Sequence, residues 1–453
     1  MKKRFTGAVA LGAIAALALT GCAGGGEEAG ADVDFTAKPS GTLSMWGFEN
    51  ADDVGQARLD YAAAQMPDVE ITHDATAFDS QKLTTRVASG DVPDVVQMDR
   101  RLVAQYAAQD LILPLDACYE AKDVDPQERW YKMVADEVTW DDRVWGAPQF
   151  YQPPAIIVNQ AILAQAGVSA EDFDTSDTTK LLPAIEKVYQ EQGGNPSVLG
   201  FDPNDATNSE LYILAMGGQL TDADGKPTLD DPSNQAGIEL LQQIHDAQGG
   251  FAKDKSFTDS FDRFGDNNQY VAGQVAAEMN MQWYVNGLSK YADQLELGVV
   301  PLRDAKGEPF AAASGSAFVI PAGAKNPATA CAWITDVTSL GSWEAAGDAR
   351  GETRKADGGI NAGLFTGSPE ADQVIKEKWV TGSSDANFDA VIDDYYAILD
   401  YGRSYPASPA GQTVLSEIRN AVIAVLVGEK SIDQALSDAQ STAMRDYESM
   451  IAD

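Results

Sequence analysis

Apolar and polar residues alternate over Gly41 to Trp46, with Leu43 and Met45 set against Thr42 and Ser44. A period of two marks a strand with a buried face, and this one ends at Trp46. A helix-like stretch from Val54 to Met66 follows, stopped by Pro67-Asp68, and Val69 to Thr72 supplies a second strand. A further helix over about Ser80 to Ala88, a turn at Gly90-Asp91-Val92-Pro93 and a third strand at Val95 to Met98 complete a βαβαβ order. That order predicts an α/β protein with a parallel, helix-covered sheet whose ligands bind beyond the carboxyl ends of the strands. Those ends are Trp46 to Asn50 and Asp99 to Arg101.

Residues 102–143 read as helices with a turn at Leu113 to Asp116, and Trp140 to Arg143 as a hairpin. The stretch Val144 to Gln160 changes character three times. It runs from a Trp145-Gly146 turn and Pro148, through a polar-aromatic cluster at Gln149 to Gln152, to Pro153-Pro154 and an apolar run too short for a helix. It reads as a crossing from one globular unit into a second, with Phe150 to Gln152 facing a ligand. Helices dominate beyond Gln160. Gly217 to Thr228 reads as a hairpin with an Asp-Gly turn; it lacks the third acid of a calcium loop, so no metal is expected there. Phe264 to Asn280 is expected to hold a helix and then a strand over Val275 to Met279, and further strands are expected at Leu297 to Pro301 and Ala317 to Ile320. Asn326-Pro327 opens a helix with Ala330, Ile334 and Val337 on one face. The last two helices carry Val414, Ile418, Val422 and Leu426 in register, stop at Gly428, and restart at Ser431 to Gln434.

Charge and length narrow the picture. Lys2, Lys3 and Arg4 precede a weakly apolar run from Phe5 to Leu19 and then Leu-Thr-Gly-Cys at 19–22, which reads as an export signal. It is too short and too dilute for a permanent membrane span. Leu-Thr-Gly-Cys looks like a bacterial lipobox, with cleavage before Cys22 and lipid on its sulfur; an ordinary cleaved signal is the plainer alternative. Cleavage removes three basic and no acidic residues, so 32 Lys plus Arg fall to 29 against 69 Asp plus Glu, a formal charge of −40. Nucleic acid is excluded as a partner. The remaining 432 residues suit two large lobes rather than one core. Cys118 and Cys331 can pair in an oxidising exterior or stay as buried thiols.

Several segments together resemble the extracellular solute-binding proteins of ABC importers, specifically the maltose-type sugar-binding group. They are Ser89 to Val96, Val144 to Pro148 with Val158-Asn159 and Ala166-Gly167, Asp224-Gly225-Lys226, Gly273 to Met279 ahead of Trp283, Ser314 to Pro321, and Leu426 to Ser431. The resemblance implies a two-lobed periplasmic-binding-protein-like fold, each lobe a mainly parallel sheet covered by helices, with ligand in the interlobe cleft. It implies a signal peptide at 1–21, a lipidated tether at 22–40, lobe 1 from 41–148 and 312–385, and lobe 2 from 149–311 and 386–453.

A sugar cleft needs flat apolar faces for rings and planar polar groups for hydroxyls. The strand ends offer Trp46, Glu49, Asp99 and Arg100; the crossing offers Tyr151 and Gln152; the segment after Val275 offers Trp283 and Tyr284; and the return offers Gly315 and Ser316. For the aromatic rings the alternative is packing in the core, and for the acids a solvated surface. Arg350 and Arg354 sit where relatives carry a cleft-lining loop, although Glu352-Thr353 replaces a proline common there. His73 and His245 have no metal-ligand partner at helical spacing, and no nucleophile elbow or P-loop occurs. No cofactor is expected. The function expected is a monomeric, lipid-anchored receptor at the outer face of the cytoplasmic membrane, passing a sugar or short oligosaccharide to ABC permease subunits without covalent chemistry. A receptor for a polyamine, peptide or sugar phosphate is the nearest alternative, and a carbohydrate-active enzyme working through a carboxylate pair is a second.

Overall fold

The computed structural model describes residues 33–48, 52–380, 382–383 and 385–452. The signal, Cys22 and Glu49 lie outside the described residues. In lobe 1, β1 (Gly41–Trp46), β2 (Val69–Asp74) and β3 (Val95–Asp99) pair in parallel with β1 in the middle. The intervening helices are Asp53–Gln65 and Ser80–Ser89; Asp52 and Asp79 cap them by accepting from the backbone N–H groups of Gly55 and Lys82. These caps satisfy donors the helices cannot satisfy themselves. A small hairpin, β4 (Thr139–Trp140) and β5 (Arg143–Val144), turns through Asp141 and Asp142, both at positive φ.

The next two strands make the crossing. β6 (Ala147–Gln152) lies at the edge of the lobe 1 sheet and β7 (Pro154–Asn159) is the central strand of another sheet, so the chain leaves lobe 1 at Pro153 and not after Pro148. A hairpin of β8 (Gln190–Gln192) and β9 (Asn195–Val198) decorates lobe 2, whose central sheet places β7 between β10 (Ala277–Met281) and β11 (Leu297–Val300). β12 (Leu302–Arg303) and β13 (Pro309–Ala312) lead back, and β14 (Ser314–Val319) returns to lobe 1 between β3 and β6. Near the base of the cleft β15 (Gly402–Arg403) pairs in parallel with β13.

The α/β two-lobed fold is as read, with one difference in lobe 2. There β7 is antiparallel to both β10 and β11, and parallel pairing is left to the short β13–β15 pair and to bridges at Leu199 and Asp202. The helix expected after Phe264 is also not formed. Asp262 accepts from the N–H groups of Gly265 and Asn267, and Asn268 from that of Tyr270. These side chains take the hydrogen bonds a helix would use.

Lobe 2 has a large core in which Ile156 and Val158 of β7 meet Val414, Ile418 and Val422 of the helix Gly411–Leu426. Lobe 1 packs Leu43, Met45, Phe318 and Trp333 on one side of its sheet and Trp46, Val96, Met98 and Val319 on the other. Cys118 and Cys331 form a disulfide joining two helices of lobe 1. The helix Leu340–Asp357 packs along Asp53–Gln65 and so belongs with lobe 1.

Candidate functional site

A cavity of about 920 Å³ lies between the lobes, within the usual range of small-molecule sites. Lobe 1 contributes Gly47 and Phe48 beyond β1, Gln97 to Asp99 at the end of β3, Gln149, Phe150 and Gln152 of β6, and Gly315 and Ser316 of β14. Its helices add Asp52, Arg58, Arg350 and Arg354. Lobe 2 contributes Phe264, Gln282, Trp283, Tyr284 and Asn286. Two close approaches shape the wall. Gly47 has φ 88° and a Cβ there would meet the Gln97 carbonyl at 2.7 Å, so only glycine fits; a Cβ on Gly315 would run into the Arg100 guanidinium and the Phe150 carbonyl.

The aromatic platform is on lobe 2. Trp283 is 38% exposed and Phe264 70%, and their rings stack with centroids 6.2 Å apart and planes 18° from parallel. Tyr284 stands edge-on to both. Its hydroxyl accepts from Asn268 Nδ2 at 2.6 Å and Gln269 Nε2 at 2.9 Å and donates to the Arg263 carbonyl at 2.8 Å. Beneath it Glu278 is fully buried against Arg263, and burial with the nearby Asp202 pushes its carboxyl up to about 7.

Of the residues singled out from sequence, Asp99, Gln152, Trp283, Tyr284, Gly315, Ser316, Arg350 and Arg354 lie together on this cavity. Trp46, Arg100 and Tyr151 do not. The Trp46 indole is 1% exposed, tilted against Phe78, with its N–H on Thr76; helices cover both faces of the lobe 1 sheet, so the last residue of β1 is core. Arg100 is buried in an ion pair with Glu137 at 2.9 Å and donates to the carbonyls of Gln149, Phe150 and Ala313. Glu137 in turn accepts from the N–H of Tyr405. Burial holds the Glu137 carboxyl above its ordinary range despite Arg100. One buried pair thus grips β6, the link at Ala313 and the C-terminal segment, and Arg100 sits beneath the crossing rather than on the cavity. Tyr151 is likewise fully buried, its hydroxyl donating to the carbonyl of Arg403 at 3.2 Å.

Asp99 is clasped by Arg101 through Nε at 2.9 Å and Nη2 at 2.6 Å. Burial alone would raise the Asp99 carboxyl, but Arg101 outweighs it and holds the group below its ordinary value. Arg101 also reaches Glu210 of lobe 2 at 3.5 Å, a carboxylate shared with Arg419. The cavity wall and the two lobes are therefore coupled through one guanidinium.

Sequence reasoning missed Arg58, Phe48, Gln97, Gln149 and Phe264. Arg58 left a signal: it falls with Val54 and Ala62 at helical spacing on the buried face of its helix, where a charge is costly unless used. Its guanidinium stacks 3.8 Å from the Trp343 ring centroid, donates to the Val337 carbonyl and to Gln149 Oε1, and is pushed down to about 9 by burial. Among the described residues no group of carboxylates, histidines or cysteines could hold a metal ion, and no helix is long and apolar enough to cross a membrane.

Two lobes with an aromatic and amide-rich cavity between them define a solute-binding protein. The family model for bacterial extracellular solute-binding proteins matches residues 52–340, and the chain belongs to that family. Its fold is similar to that of CpMnBP1 with mannobiose bound (TM-score 0.69, 21% identity, covering 89% of this chain and 100% of that one). It is also similar to the GacH receptor of Streptomyces glaucescens, solved unliganded and with acarbose (TM-score 0.67, 19% identity, 90% and 99%). A third similar fold is the sugar-binding protein MalE of Xanthomonas citri (TM-score 0.68, 15% identity, 90% and 98%).

Proposed function

We propose that this protein is a saccharide receptor that delivers a sugar or short oligosaccharide to an ABC permease. The carrying observation is the pairing, across one cavity, of the stacked Trp283 and Phe264 rings on lobe 2 with the amides of Gln97, Gln149 and Gln152 on lobe 1. Flat apolar faces suit the axial C–H faces of a sugar ring, and carboxamides both donate to and accept from hydroxyls. The similar folds described with mannobiose and acarbose support this reading. So does the state of the cavity carboxylates: among the described lining residues Asp52 is held by Arg350 and Asp99 by Arg101, which suits positioning rather than proton donation.

The mature chain begins at Cys22, is tethered by its lipid to the outer face of the cytoplasmic membrane, and acts as a monomer. The lobes are divided close to 41–152 with 312–385 and 153–311 with 386–453, with the first bend at Pro153. Calorimetric titration of the mature protein with mono-, di- and oligosaccharides tests the ligand class, and X-ray scattering should show a smaller radius with the bound member. A full panel without binding or compaction refutes the reading. Incorporation of labelled fatty acid, lost in Cys22→Ala, tests the anchor.

A further inference from the structure

Resting on the saccharide reading, we infer that the ligand is an anionic saccharide, whose carboxylate or phosphate is received at the end of the cavity formed by Arg58, Arg350 and Arg354. Arg58 stands on the helix Asp53–Gln65 and Arg350 and Arg354 on Leu340–Asp357, two helices that pack along each other, and all three residues line the cavity. Their partners are unequal. Arg350 is satisfied by Asp53 at 2.7 Å and Asp52 at 2.9 Å, and its Nη1 makes no hydrogen bond among the described residues. Arg58 donates only to neutral acceptors, the Val337 carbonyl and the Gln149 amide. Arg354, one turn beyond Arg350, has no hydrogen bond or ion pair among the described residues, and its Nε is buried without an acceptor.

Such an arrangement is costly in the ligand-free protein. A buried donor with no acceptor loses its hydration without replacement, and burial followed by repulsion from Arg350 lowers the affinity of Arg354 for its proton. The chain carries a formal charge of −37, so carboxylates to neutralise these groups are abundant in its composition. A planar fork with free donors on a cavity wall matches a carboxylate or phosphate oxygen pair. The aromatic platform on lobe 2 would hold the ring while the arginines of lobe 1 hold the charge. A neutral sugar would offer the buried Nε of Arg354 only a hydroxyl, without the charge that an anionic acceptor brings.

The test is calorimetric titration of the mature chain at physiological ionic strength, where surface charge is screened more than the cavity. The probes are matched neutral and acidic saccharides: galactose and galacturonate, glucose and glucuronate, glucose and glucose 6-phosphate, and galactobiose and digalacturonate. Inorganic phosphate and acetate serve as bare anions. An acidic member should bind at least about tenfold more tightly than its neutral partner, the equivalent of one charge-assisted hydrogen bond. Arg354→Gln should remove most of that preference, and Arg354→Lys should retain part of it. The uronate and phosphate arms show which group is taken. If neutral members bind as tightly as acidic ones, or if Arg354→Gln and Arg354→Lys both leave the preference intact, the anion assignment is overturned while the saccharide reading stands. Bare anions binding as tightly as the acidic sugars, or no saccharide binding at all, overturn both.

Discussion

His245 offers the sharpest quantitative check on the electrostatics of lobe 2. It closes the helix Gln235–Asp246, is 4% exposed, and places Nδ1 2.8 Å from Asp254 Oδ2 and Nε2 3.3 Å from Asp205 Oδ2. Both ring nitrogens face carboxylates, so the doubly protonated imidazolium satisfies both acids at once, in the last turn of a helix where a cation is favoured. Burial alone would strip the proton; hydrogen bonds to Asp205 and Asp254 outweigh it and push the imidazole up to about 9 from 6.5. The sign follows directly. Below pH 6.5 folded and unfolded chains both hold the proton and the full stabilisation is present. Between 6.5 and about 9 the folded chain holds a proton the unfolded chain has released, so stability falls with rising pH. At about 1.4 kcal/mol per pH unit this amounts to about 3 kcal/mol.

His245→Gln removes the titration and leaves two acids facing each other in the interior. In denaturant melts followed by tryptophan fluorescence, the wild type should exceed the variant by about 3 kcal/mol near pH 6, a cost typical of breaking a buried pair. The gap should shrink steadily toward pH 9. Glu278 and Asp372, both raised to about 7 by burial, lose their contributions lower, between their unfolded values and pH 7, and cancel in the difference. A gap that stays constant or widens above pH 7 would refute the imidazolium assignment. Saccharide affinity near neutral pH should be unchanged, since His245 does not line the cavity.

Three further outcomes test the hinge, the platform and the disulfide. Trp283→Ala should weaken saccharide binding about five- to tenfold, from loss of about 1 kcal/mol of ring stacking, while the melting temperature stays nearly unchanged because the ring is 38% exposed; a collapsed melting transition in calorimetry would show the ring to be core. Glu137→Gln leaves Arg100 buried without its charge partner and should cost about 3 kcal/mol in denaturant melts. If the pair also governs the hinge, that variant's ligand-free radius in X-ray scattering should depart from the wild type, and an unchanged radius would confine the pair to stability. Replacing Cys118 and Cys331 by Ser frees a loop with a sequence separation of 213 and should destabilise by about 5 kcal/mol on the chain-entropy account, read by calorimetry; lobe 1 packing elsewhere predicts near-normal ligand affinity at 25 °C.

What the sequence revealed and what it hid divide along a physical line. Periodicity exposed β1 to β3 and their helices because each buries one face or stripe, and Pro327 marked the start of its helix because local backbone chemistry decided it. Direction of a side chain was harder. In β6 strict alternation would set Tyr151 opposite Phe150 and Gln152, but Phe150 takes φ 61° and the register against β14 shifts between Ser314 and Ser316. That irregularity adds Gln149 to Phe150 and Gln152 on the cavity, while Tyr151 keeps the inward face that alternation gives it. Nothing in a Gln-Phe-Tyr-Gln run announces it, since a bulge is set by the partner strand. Arg100 and Arg101 pose the same problem: neighbours of one residue type, one buried beneath the crossing and the other a lobe-to-lobe bridge. Their acids, Glu137 and Glu210, are distant in sequence, so their roles exist only after folding.

These residues also explain how a receptor without a flexible linker can close. On the proposed division the chain crosses at Pro153, near Ala313 and again after about residue 385, and the Arg100–Glu137 pair holds the first two crossings, where bending of a few backbone torsions would let the lobes move as rigid bodies. A ligand shifts the open–closed balance only by its differential affinity for the two forms; moving it from 1:99 to 99:1 takes about 5.5 kcal/mol. One lobe alone cannot supply that difference, because contacts made equally in both forms cancel. On the proposed reading the ring rests on Trp283 of lobe 2 while the charge reaches Arg354 of lobe 1, so both contacts are made together only in the closed form. The Arg101 bridge to Glu210 lies beside Asp99 on the same wall, where a ligand hydroxyl meeting Asp99 would brace the guanidinium that already joins the lobes. Binding and closure would then share the same few side chains, which is why the hinge and the cavity meet at the end of β3.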